Sequence, residues 1–138
     1  FGNVAEEHYL GNELISALTD QAVNELWVDM EEWEGITAYA HYQAFHIDIS
    51  RYYRLNVFNY EGTAGEYLID THDGQHFTTF DADHDSNDSG NCAEMRGGAW
   101  WYNACSTSDL NGPYGAGFYW GTYNLKKSKM MIRPYSLV

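Results

Sequence analysis

The sequence predicts an α+β fold: an antiparallel, twisted sheet with short helices, followed by an irregular, oxygen-rich C-terminal subdomain. Three observations carry this. Runs such as Glu25-Leu26-Trp27-Val28-Asp29-Met30 alternate polar and apolar side chains, the period of a half-buried strand. Helical spacing is confined to short stretches. A loop with almost no apolar residue, Asp81 to Asn91, runs directly into the only two cysteines, Cys92 and Cys105.

With 138 residues the chain is one domain's worth, with a central sheet part over about 1–75 and 130–138 and an irregular subdomain over about 76–129. A hydrophobic content of 44%, with 12 Tyr, 6 Phe and 5 Trp, supplies a packed core and argues against disorder. Net charge is −13, and protonating all six histidines would leave −7, so nucleic acid and acidic lipid are poor partners. No apolar run approaches the ~18 residues of a membrane helix, so no membrane span is expected. No leader is visible, and the chain is expected to be a mature or trimmed piece.

In chain order, Asn12 reads as a helix N-cap ahead of Glu13 to Leu18, whose apolar residues share one helical face. Glu25 to Met30 is the first strand, Trp33-Glu34-Gly35 a turn, and Thr37 to Phe45 the second strand. On that second strand Ala38, Ala40, Tyr42 and Ala44 lie on one face and Tyr39 on the other, giving an antiparallel hairpin. Tyr53 to Val57 is a third strand and Glu61 to Leu68 fits a short helix. Asp73-Gly74 is a tight turn. His72 and His76 flank it, but across a turn their spacing carries little, and no metal role is assigned to them. Ser106 to Tyr123, rich in Gly and aromatics, reads as irregular, and Met130 to Pro134 as a last strand returning to the core.

Asp81, Asp83 and Asp85 alternate, so several carboxylates can aim at one point, a costly arrangement unless a cation neutralises them. Calcium suits such a loop, because it takes six to eight oxygens at roughly 2.3–2.6 Å from flexible ligands. An EF-hand is excluded: its sixth position should be Gly and is Ser86, and its twelfth should be Glu and is Cys92. The competing reading is a solvated acidic turn. Cys92 and Cys105 admit a disulfide, two buried thiols or half a metal site. No CxxC or Cys/His quartet supports zinc. A disulfide closing so short a loop would contribute on the order of 3 kcal/mol, and an oxidising, calcium-rich extracellular compartment would accommodate both features. No nucleophile elbow, phosphate-binding Gly loop or apolar-pocket carboxylate pair is present, so a binding module is expected rather than an enzyme.

Gly90-Asn91-Cys92-Ala93-Glu94, Gly98-Ala99-Trp100-Trp101-Tyr102-Asn103-Ala104-Cys105 and Leu110-Asn111-Gly112 resemble the C-terminal part of fibrinogen-related domains, the group of ficolins, tachylectins, angiopoietins and fibrinogen chains. Phe1-Gly2-Asn3, Tyr9-Leu10-Gly11-Asn12, Trp33-Glu34-Gly35, Thr37 to Ala40, Gly62 to Gly65, Phe77 to Asp81 and Ile132-Arg133-Pro134 extend the likeness over essentially the whole chain. The resemblance implies a fibrinogen C-terminal-like fold lacking the usual N-terminal subdomain, so that the chain is a fragment or another segment completes the sheet. It implies a Cys92–Cys105 disulfide and a structural calcium ion held by Asp83 and Asp85 side chains, by carbonyls near Asn87 and Ser89, and by Asp81 as an outer partner.

The resemblance also implies a ligand surface beside the second cysteine, often next to a cis peptide, here Ala104–Cys105. In the lectin members this pocket takes N-acetyl groups. The sequence departs from them in three places: Ser106 stands where His is common, Arg96 where a pocket aromatic is common, and the segment after Gly112 is short. Ala104, Cys105, Ser106 and Arg96, with Tyr114, Tyr119 or Trp120 as replacement walls, are the candidate ligand residues; the competing reading makes Tyr119 and Trp120 core residues and Arg96 a counterweight to nearby acids. Arg96 suits a carboxylate, an acetyl oxygen or an acidic protein partner. The expected function is secreted, calcium-stabilised, lectin-like recognition of glycans or acetylated groups, as in innate immunity. The alternative is protein–protein recognition of the fibrinogen or angiopoietin type. Asn87-Asp88-Ser89 is a glycosylation sequon inside the acidic loop, with a chance occurrence as the plainer reading.

Overall fold

The computed structural model describes residues 2, 3 and 5–136, so Phe1 and residues 137–138, counted above in the resemblance and the sheet part, lie outside the described residues. Along the chain come helix α1 (Asn12–Asp20) and strands β1 (Asn24–Glu32), β2 (Thr37–Asp48) and β3 (Arg54–Gly62). Helices α2 (Ile69–His72) and α3 (Cys92–Arg96) and strands β4 (Ser108–Asp109), β5 (Tyr119–Trp120) and β6 (Tyr123–Pro134) follow. The strands form a six-stranded antiparallel sheet in the order β3-β2-β1-β6-β5-β4.

Alternation sets the faces. Leu26, Val28 and Met30 of β1 are buried, while the Trp27 ring lies on the other face, stacked on Tyr39 of β2 at 4.7 Å. On β2 the predicted face holds through Ala40 and Tyr42, then slips: Phe45 and Ile47 are buried in place of Ala44. A register shift against β1 between Asn24 and Leu26 accounts for the slip, because one extra residue turns the following side chains over.

Helix α1 starts one position before expectation, with Gly11 as the N-cap residue and Asn12 already helical. Its leucines do not face the core. Leu14 and Leu18 are exposed, and the buried residues are Ser16 and Thr19. The reason lies in β2, whose Ile47 runs past the end of its pairing with β1. Ser16 Oγ donates to Ile47 O (2.8 Å) and Ile47 N–H donates to Thr19 Oγ1 (3.2 Å), so the helix hydroxyls satisfy a strand end that would otherwise be orphaned.

The helix predicted over Glu61–Leu68 is absent. Residues 61 and 62 finish β3, and the helix comes later, at 69–72. Glu66 explains the displacement. Its carboxylate accepts from the N–H groups of Leu68 (2.7 Å), Ile69 (2.7 Å) and Asp70 (3.1 Å), which caps α2 from outside the helix. Gly74, at φ 80°, makes the expected turn. The turn folds along the free edge of β3: Leu55 N–H donates to Gln75 O (3.0 Å) and Val57 N–H to Asp73 Oδ1 (2.8 Å). That covers a strand edge which would otherwise invite foreign strands.

The last strand runs from Tyr123, seven residues before its predicted start. Residues 126–129, Lys-Lys-Ser-Lys, are polar on both faces and give no alternation, but they lie against the acidic β1. Lys127 pairs with Glu31 (3.0 Å), Arg133 with Glu25 (2.9 Å), and Lys129 stands opposite Asp29. Between α2 and β6 the regular elements are α3 and the two-residue strands β4 and β5. The aromatics of this stretch are not peripheral, however. Trp100, Trp101, Tyr102 and Trp120 are buried in the same core as Leu26, Val28 and Leu55.

Candidate functional site

The acidic loop is organised by its own backbone. Asp85 Oδ1 accepts from the Asn87 N–H (2.9 Å) and Oδ2 from the Cys92 N–H (2.8 Å), which ties the loop to the start of α3. Asp83 Oδ1 accepts from the Asp85 N–H (3.3 Å), and Asp81 Oδ1 from the Thr79 hydroxyl (2.6 Å). Asn91 caps α3, accepting from Ala93 N–H (2.8 Å) and Glu94 N–H (3.2 Å), while its amide donates back to Thr79 O (3.1 Å). Gly97 closes the helix at φ 75°, the left-handed turn that suits glycine.

Among the described residues no three His, Cys, Asp or Glu side chains converge as a metal cage. A cation here would therefore need backbone carbonyls beside Asp83 and Asp85. Those two carboxylates fit such a mixed set, since each oxygen keeps a lone pair beyond the bonds it accepts.

Cys92 and Cys105 form a disulfide thirteen positions apart. The peptide bond Ala104–Cys105 is cis. Asn87 is drawn to this bridge: its Nδ2 lies 3.8 Å from each sulfur and its Oδ1 accepts from Ser89 N–H (3.1 Å). The amide nitrogen of the sequon therefore faces the bridge. Ser89 is exposed and donates that N–H.

Of the candidate ligand residues, Arg96, Ala104 and Tyr114 are exposed and Cys105, Ser106 and Tyr119 half-buried. Ser106 and Tyr119 are engaged with each other, their hydroxyls 2.5 Å apart and the Tyr119 hydroxyl also donating to Ser106 O (3.0 Å). Tyr114 packs edge-on against Phe118. Trp120 is a correction: it is fully buried and its indole N–H donates to Gly65 O (2.9 Å), so it is core and offers no wall to a ligand.

Two buried polar groups beneath this surface had no clear sequence signal. His72 is fully buried. Its Nδ1–H donates to Trp101 O (2.7 Å), and its Nε2 accepts from Thr107 N–H (3.2 Å) and Ser108 N–H (3.4 Å). It therefore bolts α2 to the chain on either side of Cys105, and burial lowers its pKa to about 4. Asp109 accepts from the Tyr102 hydroxyl and from Asn111 N–H (3.1 Å), and burial pushes its carboxyl up to about 6. It holds the turn that carries Gly112, where a Cβ would fall 1.7 Å from Gly117 O. Neither residue type announces such a role in isolation, because burial is decided by distant neighbours.

A cleft of about 520 Å³ opens elsewhere, between Tyr9, Tyr52, Tyr53 and Phe77, and beside it lies the start of the acidic loop.

A family model described as the C-terminal globular domain of fibrinogen beta and gamma chains matches residues 1–135. Mouse Fibrinogen C domain-containing protein 1 is 44% identical over 153 residues, covering 97% of this chain and 33% of that protein. Human Angiopoietin-related protein 2 is 44% identical over 150 residues, covering 97% of this chain and 30% of that protein. The chain thus spans about a third of the length of these relatives. The fibrinogen-like globe domain of human ANGPTL2 superposes with a TM-score of 0.90 at 42% identity, over 99% of this chain and 69% of that one. Lamprey fibrin D-dimer, solved with the peptide Gly-His-Arg-Pro-amide, superposes with a TM-score of 0.88 at 31% identity, over 96% of this chain and 52% of that one. With the sheet order, the cysteine bridge and the cis peptide in place, the chain belongs to the fibrinogen C-terminal globular domain family.

Proposed function

We propose that this domain is an extracellular recognition module that docks a protein partner through the surface around Arg96, Ala104 and Ser106, in the manner of an angiopoietin-related domain. The observation that carries it is the mutual engagement of Ser106 and Tyr119 beside an exposed Arg96. Hydroxyls already bonded to each other are poorly placed to receive an acetyl group, whereas an exposed guanidinium suits a carboxylate on a protein. The likeness to angiopoietin-related proteins and to a fibrin fragment solved with a bound peptide favours the same reading. The lectin-like reading, with an acetylated glycan at this surface, is the weaker one. The disulfide favours an oxidising compartment, hence secretion. Calcium at Asp83 and Asp85 would pin the acidic loop that leads into α3.

Binding of the labelled domain to cultured cells tests this. Trypsin treatment of the cells should remove binding, glycosidase treatment and free N-acetylglucosamine should leave it, and Arg96→Ala should weaken it by about tenfold or more. Retention on acetylated beads with elution by free acetate would overturn the protein-partner reading.

A further inference from the structure

The aromatic cleft shares none of its lining with the Arg96 surface. Tyr9 and Phe77 stack within it at 6.4 Å between ring centres, Ala82 and Ala99 complete its apolar lining, and the Tyr52 ring stacks on His84 at 3.9 Å. Tyr52 and Tyr53 both adopt left-handed backbone, at φ 53° and 57°. Such consecutive values are uncommon for bulky residues and persist only where the surroundings enforce them. Here Phe77 N–H donates to Tyr52 O (2.9 Å) and the Trp101 indole to Tyr53 O (2.8 Å), so the buried core aims the two rings. Tyr52 nevertheless stays 60% exposed, a large, fixed aromatic face open to solvent.

No Asp, Glu, Lys or Arg lines the cleft, although the chain carries 27 such residues. Charge begins at its edge: Ala82 and His84 belong both to the lining and to the loop bearing Asp81, Asp83, Asp85 and Asp88. Even with a divalent cation bound, four carboxylates would leave that edge negative. A neutral aromatic pit with an acidic border complements an apolar ring flanked by cations.

We propose that the Tyr52–Phe77 cleft is an anchor site for an aromatic side chain presented by a basic segment of a partner protein. The ring packs against Tyr52, Tyr53 and Phe77, and the flanking Lys or Arg residues meet Asp81 and its neighbours. The proposal rests on the domain being a protein-recognition module, but not on the Arg96 surface.

Fluorescence polarisation on the intact domain tests it with three labelled pentapeptides: a tryptophan between two pairs of lysines, the same with alanine for tryptophan, and the tryptophan between two pairs of glutamates. The lysine–tryptophan peptide should bind at least about tenfold more tightly than either control. Tyr52→Ala should erase the advantage of tryptophan over alanine, Tyr52→Phe should keep it, and Arg96→Ala should leave it unchanged. Tyr52 is exposed, so these variants should fold, which near-ultraviolet circular dichroism checks. Equal binding of the tryptophan and alanine peptides would reduce the effect to bulk charge and overturn the proposal, as would full tryptophan preference in Tyr52→Ala. Loss of cell binding in Arg96→Ala with the peptide preference intact would separate the two surfaces.

Discussion

At the scale of single residues, two buried groups give the domain opposite responses to acid. His72 is held neutral at a pKa near 4 against an ordinary 6.5. The unfolded chain binds its proton first, so this contribution is intact above pH 6.5 and is lost as pH falls toward 4. Asp109 behaves in reverse. Its carboxyl is raised from 3.8 to about 6, so its contribution is present below 3.8 and is lost as pH rises through 6. Each is worth on the order of 3 kcal/mol and they largely offset one another between pH 4 and 6. Urea midpoints across that range should separate them. Asp109→Asn should gain stability relative to the parent as pH rises. His72→Gln should cost about 1–3 kcal/mol at neutral pH and flatten the acid limb. An unchanged acid limb in His72→Gln would show that other groups govern acid unfolding. Asn87 belongs to this scale as well. With its amide nitrogen against the bridge, intact mass should not change on deglycosylation.

Among the elements, the loop from Asp81 to Cys105 is held by three unlike devices: Asx-type turns, the cap of α3 and the disulfide. Reducing Cys92–Cys105 should cost on the order of 3 kcal/mol, the expectation for a closed loop of this length. Thermal melts with and without reductant measure it, and a shift below one degree would mean that the buried Trp100-Trp101-Tyr102 cluster already fixes the loop unaided. Calcium is the second test here. If Asp83 and Asp85 hold the ion, chelator should lower the melting temperature and Asp83→Ala should abolish that dependence. A melt indifferent to chelator would leave these carboxylates as turn formers, a role in which Asp85 already uses both oxygens.

For the whole molecule, sheet and irregular part share one core. Trp100, Trp101 and Trp120 lie among Leu26, Val28 and Leu55, so the two parts should unfold together rather than in sequence. Calorimetry checks this as a single transition, and two resolved transitions would show that the parts are independent. Charge is distributed at the same scale. Four of the seven basic residues sit on β6, where Glu25 and Glu31 of β1 take up Arg133 and Lys127, so the −13 is felt mainly elsewhere, including on the acidic loop. Partner binding at that loop should therefore weaken with salt.

The hairpin of β1 and β2, the bridge and the family were legible from residue order. Alternation, turn residues and motif spacing are local properties, and Cys92 to Cys105 carries its family pattern in one stretch. What lay beyond reach depended on partners far along the chain. Helix α1 buries hydroxyls rather than leucines because Ile47, thirty-one residues from Ser16, needs its backbone satisfied. Strand β6 forms from a lysine-rich run because an acidic strand lies beside it. Glu66 displaces a helix by capping the next one. Trp120 reads as either a pocket wall or a core residue, and the choice falls to the core only when Gly65 O takes its N–H. In each case the side chain's chemistry is written in the sequence, but the group that satisfies it is chosen only when the chain closes on itself.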